Sequence, residues 1–301
     1  MIERAPRVQS VTRFSTLERV EHGAVMTLFV VLALTGFPQK FYDHRWAQVL
    51  TGWLGGVDTA RWFHRAAGLM FGALLAAHVL RLAVSVVRRT TTLSMVPTRR
   101  DVADAIQTIN YYLGSGDAPR FDRFDYRQKF EYWGMLLGSA VVVGTGLALL
   151  FPIRTASWLP GQLIPAAYVA HSQEGLMAFL VVIVWHIYNA HLNPDVFPFD
   201  ASIFTGEISA HRLEHEHAIE YERLAQGATG MPVQTPDNPY RRLSWPVQLV
   251  VAPIAGAVFA MLLPALGMGV VVKAAFDAMT GRRTRRGQGD SQDRQAVART
   301  S

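Results

Sequence analysis

The stretch AYVAHSQEGLMAFLVVIVWHIYNAHL, residues 167 to 192, is apolar and long enough to cross a bilayer, and it holds His171 and His186 inside it. An ionisable side chain at membrane depth is costly, so it marks a functional site by default. An α-helix turns about 100° and rises about 1.5 Å per residue, which puts these two rings within roughly 60° of one face and about 22 Å apart along the axis. Such a spacing suits two metal centres stacked across a membrane, each with an axial imidazole. Heme is the natural occupant, because imidazole is a common heme ligand and four-helix bundles build cofactor sites from facing helices.

Four more apolar runs share the chain, at about 22–37, 62–87, 131–151 and 245–276. The expected fold is therefore an all-α membrane protein: a four-helix transmembrane heme-binding bundle over 22–192, with a fifth crossing helix at 245–276. A basic segment, 1–21, precedes the bundle. It has Arg4, Arg7, Arg13 and Arg19, and its length and the lack of an A-x-A site argue for a retained first helix over a cleaved leader. The 38–61 connection is rich in Trp, Gly and Asp and reads as a loop at the membrane interface. The connection 88–130 is long and basic, with an amphipathic helix at 101–113 for which Asp101 offers an N-cap. A juxtamembrane segment, 193–244, follows the bundle. Pro253 and Pro264 are expected to kink the fifth helix, and the basic tail 277–301 reads as disordered.

The chain has no cysteine, which excludes disulfides, thiolate-ligated iron–sulfur clusters, covalent heme attachment through sulfur and Cys-based zinc sites. The net charge of +6 sits on arginines at the ends of apolar runs, so it reads as a topology signal and not as nucleic-acid binding. It places the N-terminus and the 88–130 loop on the cytoplasmic side, and the expected location is the bacterial inner membrane. Helices 2 and 4 then run inward together. His64 and His171 meet near the outer face. His22, His78 and His186 are three candidates for two positions near the inner face.

The pieces of sequence around these histidines resemble one family as a set. Residues 13–22 (RFSTLERVEH) with 34–37 (LTGF), then 61–68 (RWFHRAAG), 123–129 (RFDYRQK) with 131–134 (EYWG), and 186–190 (HIYNA) are similar to the cytochrome b (gamma) subunits of respiratory formate dehydrogenases. Residues 193–200 (NPDVFPFD) and 214–222 (EHEHAIEYE) extend the likeness to the diheme cytochromes b of thiosulfate reductases and hydrogenases. The resemblance implies two heme b groups with axial pairs His22–His186 and His64–His171. It also implies a quinone site, for menaquinone or ubiquinone, at the entry to helix 3, where Asp125 and Arg127 match, with Lys129, Glu131 and His191 as nearby proton carriers. Two features depart from the pattern. His78 has no counterpart there, so it stands as an alternative to His22 or as part of the quinone site. The His171–His186 spacing is one residue longer, as in larger cytochromes b.

The expected role is electron transfer between the quinone pool and a partner redox subunit, of iron–sulfur or cytochrome type, on the outer face. The alternatives are a stand-alone diheme quinone oxidoreductase and a heme-free transporter or scaffold. His211, Glu214 and His215 fit a zinc-peptidase pattern, H-x-x-E-H, but the short charged stretch around them reads as a solvated helix.

Overall fold

Among the described residues, five helices are long and apolar enough to cross a membrane: Thr16–Lys40, Val57–Val87, Tyr126–Leu150, Leu163–Leu192 and Trp245–Asp277. The structure, a computed structural model, describes residues 10–194, 196–228 and 238–279. Arg4, Arg7 and the basic tail from residue 280, with Arg282, Arg283, Arg285 and Arg286, lie outside the described residues. In chain order the helices are α1 (Thr16–Lys40), α2 (Arg45–Trp53), α3 (Val57–Val87), α4 (Arg99–Tyr112), α5 (Tyr126–Leu150), α6 (Pro152–Trp158), α7 (Leu163–Leu180), α8 (Ser202–Thr205), α9 (Ala210–Glu216), α10 (Ala218–Ala228) and α11 (Trp245–Met279). Two π-helical stretches, Val181–His186 and Tyr188–Leu192, continue α7 to the end of its span.

The chain divides into two compact units, residues 1–91 with 131–213 and residues 92–130 with 214–301. In the first unit α1 packs along α3 and against α7, where Phe179 lies edge-on to Phe37 at 4.7 Å and stacks with Phe29 at 6.5 Å. The outward faces of these helices are apolar and exposed, as at Met26, Val30 and Leu34 of α1. Side chains of this kind are what a spanning helix turns to lipid, while its backbone is satisfied internally. In the second unit α4 packs on α11. Tyr240 there donates its hydroxyl to the Pro97 carbonyl at 3.0 Å, and Asn238 donates to the Leu93 carbonyl at 2.7 Å.

Several boundaries differ from the hydropathy reading. α1 starts six residues before its apolar run, because Ser15 and Glu18 form a capping box: Ser15 N–H donates to Glu18 at 2.8 Å, and the Ser15 hydroxyl oxygen accepts from Glu18 N–H at 3.3 Å. Asp101 is not the N-cap of α4. Thr98 holds that place in extended backbone, and Asp101 accepts its N–H at 2.6 Å as the third residue of the box. The supposed 38–61 loop contains α2, whose Ala47 and Thr51 are buried one turn apart while Trp46 and Trp53 stay exposed. α11 runs continuously through Pro253 and Pro264.

A two-stranded antiparallel ribbon was not apparent from the sequence. Strand β1 (Ser10–Thr12) pairs with β2 (Glu207–Ser209) in the register Val11 to Ile208. Gly206 makes the turn into β2 with φ +87, where a Cβ would meet the Phe14 carbonyl oxygen at 2.9 Å. Arg19 donates to the Phe204 carbonyl beside it. The ribbon thus ties the start of α1 to the segment that follows the fourth span.

The same segment is stapled by Asp200, which accepts from Arg212 at 2.7 Å and from Ser202 N–H at 2.7 Å. Burial alone would raise the Asp200 carboxyl, but the Arg212 and Ser202 bonds outweigh it and hold its pKa at about 2. An unfolded aspartate titrates at about 3.9, so the folded value is the lower one. The stabilisation is complete above the unfolded value and is lost as pH falls through the folded one. Protection of the amides over residues 200–212, taken relative to the intrinsic exchange rate at each pH, is expected to fall between pH of about 4 and 2 in the wild type, and to show no such fall in Asp200→Asn.

Candidate metal centres

The first unit brings four histidines from three helices into two pairs. His22, near the start of α1, faces His186 in the first π-helical stretch, with ring centroids 6.1 Å apart and planes at 38°. His64 of α3 faces His171 of α7, also at 6.1 Å, with planes at 84°. A metal–imidazole bond of about 2 Å, plus roughly 1.1 Å from nitrogen to ring centre, would put two trans imidazoles about 6 Å apart between centroids. Both pairs have that separation. Gly36, fourteen residues beyond His22 on α1, touches His64, so the two pairs lie about 20 Å apart along the helix.

The segment between His171 and His186 is not a regular α-helix, since the first π-helical stretch, Val181–His186, ends at His186. In a regular α-helix fifteen residues would leave the rings roughly 60° out of phase. A wider π turn absorbs one extra residue, and such turns recur at functional sites.

Each pair has the supports that an imidazole ligand needs. In the His64–His171 pair, His64 Nδ1 lies 3.0 Å from the buried Thr35 hydroxyl, and His171 Nδ1 lies 3.0 Å from the Val142 carbonyl oxygen. In the other pair, His186 Nδ1 bonds to the Glu131 carboxylate on α5. Fixing Nδ1 in this way sets the tautomer and leaves Nε2 for a metal. Glycine clears the space around the His64–His171 pair. A Cβ at Gly36 would stand 3.0 Å from His64 Cε1, and one at Gly146 would stand 3.0 Å from His171 Cε1.

The donor set is two imidazoles per site. Among the described residues no group of three or more His, Cys, Asp or Glu is placed to hold a bare ion. A metal that takes only two axial ligands from protein, with its other positions filled by a flat macrocycle, fits this set. The residues present therefore fit heme.

His78 is engaged elsewhere. Its Nδ1 lies 3.3 Å from Glu21, its Nε2 lies 3.1 Å from the Tyr132 hydroxyl, and Arg81 binds Glu21 through two bonds of 2.5 and 3.2 Å. Glu21 and Tyr132 are chain neighbours of His22 and Glu131, so this polar cluster adjoins the His22–His186 pair. Sequence reading passed over Glu21 and Tyr132, although Glu21 sits at the edge of an apolar run beside His22.

The other expected residues have separate partners. Asp125 caps α5, accepting Gln128 N–H at 2.9 Å, and binds Arg127 at 2.7 and 3.0 Å. Lys129 pairs with Asp101 at 2.7 Å. These three belong to the second unit. His191 stacks on Phe199 at 4.5 Å and accepts the Asp200 N–H. His211, Glu214 and His215 lie on α9.

The model of one protein family, described as prokaryotic cytochrome b561, matches residues 13–196. That range contains all four paired histidines and the first four spans. The search of curated proteins gives no match.

Proposed function

The chain belongs to the prokaryotic cytochrome b561 family, and from that premise we propose that it is a diheme electron carrier between a partner redox subunit and the membrane quinone pool. Family membership and the five apolar helices make it a multi-pass membrane cytochrome b that binds heme and transfers electrons. The finer reading rests on one observation, the two histidine pairs at 6.1 Å near opposite ends of the bundle.

In this reading His64 and His171 hold an outer heme b, and His22 and His186 hold an inner one. The engagement of both His78 nitrogens with Glu21 and Tyr132 favours His22 as the inner ligand. When bound, each heme supplies an iron that cycles between two oxidation states one electron at a time. The protein's residues do the rest. Thr35, Val142 and Glu131 orient the ligand rings. The apolar outer surfaces seal the sites in lipid. The orientation is N-terminus inward in the bacterial inner membrane, from the arginine distribution. The partner subunit, of iron–sulfur or cytochrome type, meets the outer side. Without cysteines the chain has no thiolate for an iron–sulfur cluster, so the other half-reaction falls to that partner.

Quinone reduction takes up two protons for every two electrons, so it needs ionisable groups at the membrane rim. We assign that contact to the entry of α5, at Asp125 and Arg127. Purified protein reduced with dithionite is expected to be reoxidised by a short-chain menaquinone analogue. Asp125→Asn and Arg127→Met are expected to retain both hemes and to slow that reoxidation about tenfold or more, the first through loss of a proton-transfer group and the second through loss of the cation that holds Asp125 in place. Reoxidation at the wild-type rate in both variants would remove quinone from this entry. A wild type inert to quinone would contradict the quinone reading.

A further inference from the structure

The two pairs differ in what stands behind their ligands. His64 and His171 each present Nδ1 to a neutral oxygen, the Thr35 hydroxyl and the Val142 carbonyl, both at 3.0 Å. His186 presents Nδ1 to the carboxylate of Glu131. The other acid near the inner pair, Glu21, is bound by Arg81. Glu131 has no such arginine in its hydrogen bonding to His186, and both side chains are shielded, at 19% and 36% exposed.

We propose that Glu131 is a positioning residue that favours the ferric state of the metal held between His22 and His186, setting the two redox centres of this chain apart in potential. The inference rests on the reading of that pair as a heme site. A carboxylate draws the Nδ1 proton more strongly than a neutral oxygen does. The imidazole then becomes a stronger donor through Nε2, and a stronger donor favours the higher charge on the metal. Outer hydrogen bonding of this kind is one of the protein's levers on heme potential. The outer pair has neutral acceptors at both ligands, so the lever acts on one centre alone.

The test is a potentiometric titration of the purified full-length protein at fixed pH, followed in the reduced absorption bands. The inner component is identified as the one missing from His22→Ala. In Glu131→Gln both hemes are expected to remain. The inner ferrous-to-ferric ratio at a given potential should rise about tenfold, which is about 59 mV for one electron, and the outer component should stay in place. An inner midpoint that does not move, or two midpoints that move together, overturns the proposal. Should Glu131→Gln fail to assemble, Glu131→Asp is read in the same way. Its shorter carboxylate loosens the bond, so a raised inner midpoint supports the proposal and a wild-type midpoint overturns it. A wild type without two hemes is a distinct failure, that of the site reading itself.

Discussion

Replacing His64 with alanine is expected to leave one heme b per chain instead of two. The remaining spectrum should be that of the His22–His186 site, and His171→Ala should give the same result. The reason is the two-imidazole donor set. Each pair spans 6.1 Å with no third such side chain among the described residues, so the loss of one ring removes half of the side chains that would hold the metal. Loss of an outer-shell partner of a metal ligand typically costs about 10- to 100-fold in affinity, and loss of the ligand itself should cost more. The His22–His186 site should persist, since its ligands and Glu131 are untouched. Optical spectra and pyridine hemochrome assay of the purified variants measure this. Retention of two hemes in both variants would show that His64 and His171 are structural.

The second large effect concerns Lys129. Its ammonium binds both oxygens of Asp101, at 2.7 and 2.9 Å, with side chains only 10% and 5% exposed. Asp101 also accepts the Thr98 N–H and hydroxyl at 2.6 and 2.9 Å, so the same carboxylate starts α4. Lys129→Met leaves that carboxylate buried without its cation. Breaking one half of a buried pair costs about 3–5 kcal/mol, and the two Thr98 bonds place the expected loss near the lower end of that range. Asp101→Asn combined with Lys129→Met should recover most of the loss, because replacing both charges is often nearly neutral. Thermal denaturation in one detergent, read for the single and double variants, decides the matter. A double variant as unstable as the single one would mean that Lys129 acts through something other than Asp101.

Much of the fold was readable from apolar length alone. The spans that were expected at 62–87, 131–151, 167–192 and 245–276 all lie within, or within one residue of, observed helices, because a bilayer needs about 20 apolar residues per crossing and few alternatives satisfy the backbone. What hydropathy missed was polar and local. The first turns of α1 are specified by Ser15 and Glu18, not by apolar residues. α2 is short and half exposed, so its Trp and Gly content hid its helical register. The β1–β2 ribbon joins residues nearly two hundred positions apart, and three-residue strands leave no periodicity to read.

The site was legible in a similar way. Histidine depth alone narrowed the outer pair to His64 and His171, and those rings do face each other. Depth could not choose between His22 and His78, since both fall near the same end of the bundle as His186. That choice depends on side-chain direction, and His78 points to Glu21 and Tyr132. The π-helical turns between His171 and the end of the fourth span were not visible in the sequence. A π turn is set by packing against neighbouring helices and has no compositional signature. Glu131 was visible as an acid near the membrane rim and was read as a proton carrier for quinone. Its bond to His186 could be seen only once α5 and the fourth span were placed side by side.

The most direct test of the central claim is heme stoichiometry of the purified wild type beside His22→Ala and His78→Ala, by pyridine hemochrome and low-temperature reduced spectra. The account predicts two b hemes in the wild type, one in His22→Ala and two in His78→Ala. Loss of a heme from His78→Ala with two retained in His22→Ala would contradict the inner pair, and a wild type without heme would contradict the account as a whole.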